Sequence, residues 1–234
     1  MPGYIYVGMN NKKAFLIIWL FFSLPFAALA KEPPNVGDLK QQINEYKRIG
    51  AYDRDIASVI RKAQAYVDHR APAVSKPAIV LDIDETSLSN WLQIQANDFG
   101  TRLEGPCALP KGPCGIISWQ MGAKGEVIAA TLALFNAAKA RNVAIFFITG
   151  RDESVRAATE TNLHMAGYDG WTELIMRPVG TTTKSAADYK APERAKIEAK
   201  GFRIIVNVGD QPSDLGGGHA ERTFLLPDPF YRIP

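Results

Sequence analysis

The chain has 234 residues, 47% of them hydrophobic and 22% charged, and a formal net charge of +3. This composition excludes a disordered or low-complexity chain and supplies enough apolar side chains for a real core. Lysines and arginines are interspersed with acids rather than gathered on one stripe, so a nucleic-acid polymer is not an expected partner.

The N-terminus places Lys12-Lys13 before an apolar run, Ala14 to Phe26, and then Ala28-Leu29-Ala30, a small-x-small cleavage pattern. The reading is a signal peptide over residues 1–30, cut near Ala30, which makes the protein secreted or periplasmic with no stable membrane insertion afterwards. An uncleaved anchor is the alternative, but the run is shorter than the roughly 20 residues that span hydrocarbon, and Pro25 interrupts it.

Residues 31–75 read as a polar lead followed by N-terminal helices. Val36 to His69 carries good helix formers, with apolar spacing at Ile56, Ile60, Ala63 and Val67, and Asp53 or Asp55 as the start of a second helix. The remaining 76–234 alternates aliphatic strands with helical stretches. Ala78–Leu81, Val143–Ile148 and Ile204–Val208 are the strong strands; Glu173–Met176 and Thr223–Leu226 are weaker ones. Helical stretches cover Glu126–Ala140 and Pro192–Lys200. The fold class is therefore α/β, a three-layer doubly wound parallel sheet. Residues 87–124, rich in glycine, proline and aromatics, break the alternation and read as a small inserted cap over the C-terminal edge of the sheet. Within it, Cys107 and Cys114 form a C-x6-C pair. In an exported chain that spacing favours a disulfide, with free thiols or a metal pair as the other readings.

Each strong strand ends in a polar motif. The first runs into Asp82-Ile83-Asp84-Glu85-Thr86, the second into Thr149-Gly150-Arg151, and the third into Gly209-Asp210-Gln211-Pro212-Ser213-Asp214. Between the last two lies Tyr189-Lys190-Ala191-Pro192-Glu193-Arg194. Singly, these could be turns, helix caps and a surface lysine. In a parallel sheet, however, all C-terminal strand ends lie on one edge, so the motifs converge. Four aspartates there would repel one another and a phosphate dianion, on the order of 4 kcal/mol per pair at about 4 Å. A hard divalent cation relieves this, and an all-oxygen set favours Mg2+.

The order D-x-D-E-T, T-G-R, Y-K-x-x-x-R and G-D-Q-x-S-D-L resembles the haloacid dehalogenase superfamily. Within it, the chain is similar to bacterial class C acid phosphatases and plant vegetative-storage relatives, an impression the ending Leu226 to Tyr231 reinforces. Pro212 stands where the plant relatives usually carry Trp.

The resemblance implies an acid phosphatase acting on small-molecule phosphate monoesters. Asp82 would be the nucleophile that forms an aspartyl-phosphate, and Asp84 the acid and base. It also implies Mg2+ held by Asp82, Asp210, the Asp84 carbonyl and Asp214, with Thr149, Gly150 and Lys190 on the phosphoryl oxygens; Lys184 is a nearby rival for the lysine. Trp91, Phe99 and Trp119 could form the core of the insert or stack on an aromatic leaving group, which makes nucleoside monophosphates candidate substrates. A non-catalytic storage protein and a phosphotransferase to alcohols are the competing functions.

Overall fold

The computed structural model describes residues 32–181 and 185–233; the expected signal peptide and Lys184 lie outside them. The chain opens with helices α1 (Val36–Arg48) and α2 (Ala51–Arg70), then strand β1 (Pro77–Leu81). The inserted segment holds β2 (Leu88–Ser89), α3 (Trp91–Ala96) and α4 (Ile116–Met121), and β3 (Glu126–Val127) follows it. Helix α5 (Ala129–Ala140), β4 (Ala144–Asp152), α6 (Arg156–Met165) and β5 (Glu173–Arg177) come next. Then come α7 (Ala187–Ala199), β6 (Arg203–Gly209), α8 (Pro212–Leu215) and β7 (Arg222–Leu225).

Helix α2 begins earlier than expected from the sequence. Gly50 takes φ 69°, which ends α1 and lets α2 start at Ala51, so Asp53 falls in the first turn. A carboxylate there is favoured by the helix dipole rather than needed as a cap. Tyr52, Ile56, Ile60, Ala63 and Val67 form the buried stripe, spaced three and four residues apart as one helix face requires. Helix α7 also begins earlier, at Ala187, and runs through Pro192. Lys190 therefore sits inside the helix rather than ahead of it, because the proline that looks like a helix start is carried in its interior.

The main sheet is wholly parallel, with order β5-β4-β1-β6-β7. Ile79 and Leu81 of β1 and Ile145 and Phe147 of β4 pack into one core with α2 and α5. Ala78, Val80, Phe146 and Ile148 point the other way, against Tyr189 and Ile197 of α7. Burial on both faces explains the unbroken aliphatic runs. From β1 the chain winds outward through β4 to β5, then returns to lay β6 and β7 on the other side. The switch point thus falls between β1 and β6, where ligands bind in such sheets.

In the insert, β2 pairs antiparallel with β3, and Cys107 and Cys114 are disulfide-bonded. The Cys114 backbone carbonyl accepts from Gln93 Nε2 at 3.0 Å and Asn97 Nδ2 at 2.7 Å, docking the loop on α3. Among the described residues, no helix is long and apolar enough to cross a membrane.

Candidate active site

The Asp82 N–H still donates to the Val208 carbonyl at 3.0 Å, extending the β1–β6 ladder by one residue. The chain then leaves strand geometry. The Ile83 carbonyl accepts from the N–H groups of Thr86, Ser87 and Leu88, and Glu85 takes φ 51°. This tight turn separates two carboxylates that a continued strand would have pointed the same way. Asp82 turns to Lys190, whose Nζ lies 2.5 Å from its Oδ1. Asp84 turns to Arg151, which donates from Nη2 to Oδ1 at 2.7 Å and from Nε to both oxygens at 3.1 Å.

At the end of β4, Gly150 is exposed and lines the cavity, whereas Thr149 is fully buried. The Thr149 hydroxyl accepts from the Arg151 N–H at 3.1 Å, so the structure gives it a local partner rather than a place among the cavity-lining residues. Arg151 is 3% exposed, and its carboxylate partner offsets the cost of burying the charge.

At the end of β6, Asp210 and Asp214 are both buried. Lys190 Nζ bridges the two motifs, lying 2.7 Å from Asp214 Oδ1 as well as against Asp82. Asp214 Oδ2 accepts from the Gln211 N–H at 2.9 Å, closing a capping box on α8. Gly209 makes room for it: a Cβ there would stand 2.5 Å from the Asp214 Cβ. Arg194, the last residue of the Y-K-x-x-x-R motif, is fully buried and donates to the carbonyls of Asp214, Gly216 and Gly218. It thereby holds the loop that carries Asp214.

Asp82, Asp210 and Asp214 each offer a carboxylate oxygen, and these oxygens all lie within 4.8 Å of one another. Asp84 is neutralised by Arg151, so three carboxylates face one ammonium and two negative charges are left over. The electrostatics record the imbalance. Burial pushes the Asp82 carboxyl up to about 7, with Lys190 opposing and Asp214 and Asp84 reinforcing the shift. Burial, then Asp82 and Asp214, push Asp210 well above the carboxylate range. Burial alone would lower Lys190, but Asp82 and Asp214 together hold it raised. Burial would also raise Asp84, yet Arg151 with Asn90 outweighs it and holds Asp84 low. Excess buried negative charge on hard oxygen donors is the environment that a divalent cation settles.

Asp82, Asp84, Gly150, Lys190, Asp210 and Asp214 all line one cavity of about 410 Å3. Its remaining wall mixes polar side chains with five aromatic ones: Phe99 and Trp119 from the insert, Tyr189 from α7, and Phe230 and Tyr231 from the C-terminal segment. Trp91 lies behind that wall, 6.1 Å from Phe99 and 5.4 Å from Phe230 between ring centroids. The three aromatics weighed in the sequence thus divide: Trp91 is core, while Phe99 and Trp119 face the cavity.

The sequence motifs named Arg151, Arg194 and Gln211 without giving them a task, and passed over Asn90, which donates to Asp84. The one available signal was the arginine at a fixed place in two of the four motifs. Nothing in the sequence marks Asn90, because its importance comes from joining Trp119 to Asp84 and Glu85, which only the fold brings together.

A family model described as HAD superfamily, subfamily IIIB (Acid phosphatase) matches residues 28–234. Stem 28 kDa glycoprotein of Glycine max is 32% identical over 192 residues, 81% of this chain and 72% of that protein. Acid phosphatase 1 of Solanum lycopersicum is 33% identical over 155 residues, 66% of this chain and 58% of its own length. The class C acid phosphatase from Bacillus anthracis superposes with a TM-score of 0.66 at 20% identity, over 83% of this chain and 86% of that one, a likeness of fold.

Proposed function

The chain belongs to the subfamily IIIB acid phosphatases of the HAD superfamily, and on that premise we propose that it is an exported, Mg2+-dependent phosphomonoesterase working through an aspartyl-phosphate at Asp82. The observation that carries this reading is the cavity edge where Lys190 bridges Asp82 and Asp214 beside buried Asp210, with two negative charges unbalanced.

In the first step an Asp82 carboxylate oxygen attacks phosphorus in line, and the bond from phosphorus to the leaving oxygen breaks. Asp84, in its protonated form, gives its proton to that leaving oxygen, and the alcohol departs. In the second step Asp84 takes a proton from water as the water oxygen bonds to phosphorus. The bond from Asp82 to phosphorus then breaks and inorganic phosphate is released. The net change is one ester and one water to one alcohol and one phosphate. Against burial, Arg151 and Asn90 hold Asp84 low, so the first step needs a proton gained against that ion pair, and an acidic medium favours it.

Lys190 and the Gly150 N–H would orient the phosphoryl oxygens, with buried Thr149 bracing the loop that presents Gly150. Asp82, Asp210 and Asp214, with the Asp84 carbonyl, would hold the cation. When bound, it would neutralise the surplus charge and polarise the phosphoryl group. The aromatic wall favours an aromatic or nucleobase leaving group, so nucleoside monophosphates are the preferred substrates to assay.

The test is hydrolysis of p-nitrophenyl phosphate by the protein, by its EDTA-treated form, and by that form after Mg2+ is restored. Turnover should be lost on stripping and recovered on add-back, and Asp82→Asn should be inactive. Full turnover by Asp82→Asn, or by the stripped protein, refutes the mechanism. No turnover by the Mg2+-loaded protein on any monoester leaves a storage-type protein. Phosphorylated product in the presence of added alcohols identifies a phosphotransferase.

A further inference from the structure

Asn90 opens α3, and its side chain is buried among three polar partners. Its Nδ2 donates to Asp84 Oδ1 at 2.8 Å and to Glu85 Oε2 at 2.7 Å. Its Oδ1 accepts from Trp119 Nε1 at 2.7 Å, and its backbone N–H donates to Glu85 Oε1 at 2.7 Å. An indole nitrogen only donates and the Arg151-paired carboxylate of Asp84 only accepts, so this amide has one satisfactory orientation: oxygen toward Trp119, nitrogen toward Asp84. Trp119 belongs to the insert and lines the cavity, whereas Asp84 belongs to the loop after β1. The Asn90 side chain joins them by hydrogen bonds.

The two oxygens of Asp84 are loaded unequally. Oδ1 takes Asn90 Nδ2, Arg151 Nη2 and a share of Arg151 Nε, while Oδ2 takes only the other share of Nε, at 3.1 Å. An oxygen already accepting three donors has no lone pair left to carry a proton to substrate; the lightly used one does.

Resting on the reading of Asp84 as the acid, we propose that Asn90 is a positioning residue. It occupies Oδ1, reserves Oδ2 of Asp84 for proton exchange with the leaving group, and takes its own orientation from Trp119 in the insert. The wall that meets the leaving group is in this way tied to the residue that protonates it.

The experiment compares kcat/KM, which reports the first transfer step, for two substrates of the Mg2+-saturated protein. The p-nitrophenolate leaving group of p-nitrophenyl phosphate departs with little help from a proton, whereas the alkoxide of glycerol 2-phosphate needs one. Asp84→Asn should lose far more on the alkyl ester. Asn90→Ala should show the same bias, about tenfold or more beyond its loss on the aryl ester, within the range general acids supply. Combining the two should add no further bias. Trp119→Phe keeps an aromatic side chain, though a smaller one, and removes the donor, so it should bias the ratio in the same direction by less; it carries the test if Asn90→Ala fails to fold by circular dichroism. Equal losses on both esters for Asn90→Ala and Trp119→Phe, beside a biased Asp84→Asn, overturn the positioning role alone. An unbiased Asp84→Asn removes the acid itself, and the role of Asn90 falls with it.

Discussion

Gly209 shows how tightly the site is cut at the scale of single atoms. A methyl group there would meet the Asp214 Cβ at 2.5 Å and its Oδ2 at 2.6 Å, and neither the β6 backbone nor the short aspartate side chain can yield enough. Gly209→Ala should push Asp214 off Lys190, raise the Mg2+ concentration for half-maximal activity about tenfold or more, and cost roughly 1–3 kcal/mol of stability through overpacking. A Mg2+ titration of turnover beside a denaturation curve checks both; an unchanged midpoint would show that Asp214 does not support the cation. The aspartates were legible in the sequence only as a group, because their motifs all end strands that share one edge of a parallel sheet. Gly209 and Asn90 were not. One matters for the space it leaves and the other for the partners it meets, and both are properties of the folded molecule.

At the scale of elements, the strands were readable because burial on both faces demands continuous aliphatic sequence. The helix starts at Ala51 and Ala187 were missed because one depends on a left-handed glycine and the other carries a proline in its interior. The contacts that lock elements together were invisible for the same reason as Asn90. Glu221, just ahead of β7, is an example. It accepts from Arg70 Nε and Nη2 at 2.7 and 2.9 Å, from Arg203 Nε at 2.8 Å and from Tyr66 Oη at 3.0 Å, tying α2 to the edge of the sheet. The Arg70 hydrogen bonds, opposed by burial and aided by Arg203 and Tyr66, lower its carboxyl to about 2 from an ordinary 4.5. A depressed pKa stabilises the folded state above the unfolded value, and that contribution drains away as pH falls from about 4.5 toward about 2. Glu221→Gln should therefore cost about 1 kcal/mol at neutral pH, after allowance for solvent screening, and nothing near pH 2. Urea denaturation of both proteins across that range tests it, and a pH-independent gap would contradict the ion-pair account.

At the scale of the whole molecule, the walls of the cavity come from distant parts of the chain. Phe230 alone touches Tyr52 of α2, with ring centroids 5.1 Å apart, and Trp91 of the insert, 5.4 Å away. The cavity is therefore a product of the complete fold, and the negative charge gathered at its floor weighs on the stability of that fold. Asp210 is the clearest case. It is buried, its Oδ1 accepts from Thr86 Oγ1 at 2.9 Å, its Oδ2 accepts from Gln211 Nε2 at 2.7 Å, and no cation of the protein pairs with it among the described residues. An asparagine would keep both contacts, accepting from Gln211 and donating to the Thr86 hydroxyl, while removing one of the two surplus charges. Asp210→Asn should thus melt higher than the parent protein when both are stripped with EDTA, because an unpaired buried carboxylate is costly. Adding Mg2+ should reverse the order: the parent gains stability by mass action, and the variant, short of a ligand, gains little. Thermal melts with EDTA and with graded Mg2+ read this without any substrate, so the result is independent of turnover. If the stripped variant melts no higher than the parent, the charge at the cavity floor is balanced by other means, and if Mg2+ stabilises both equally, Asp210 does not hold the ion.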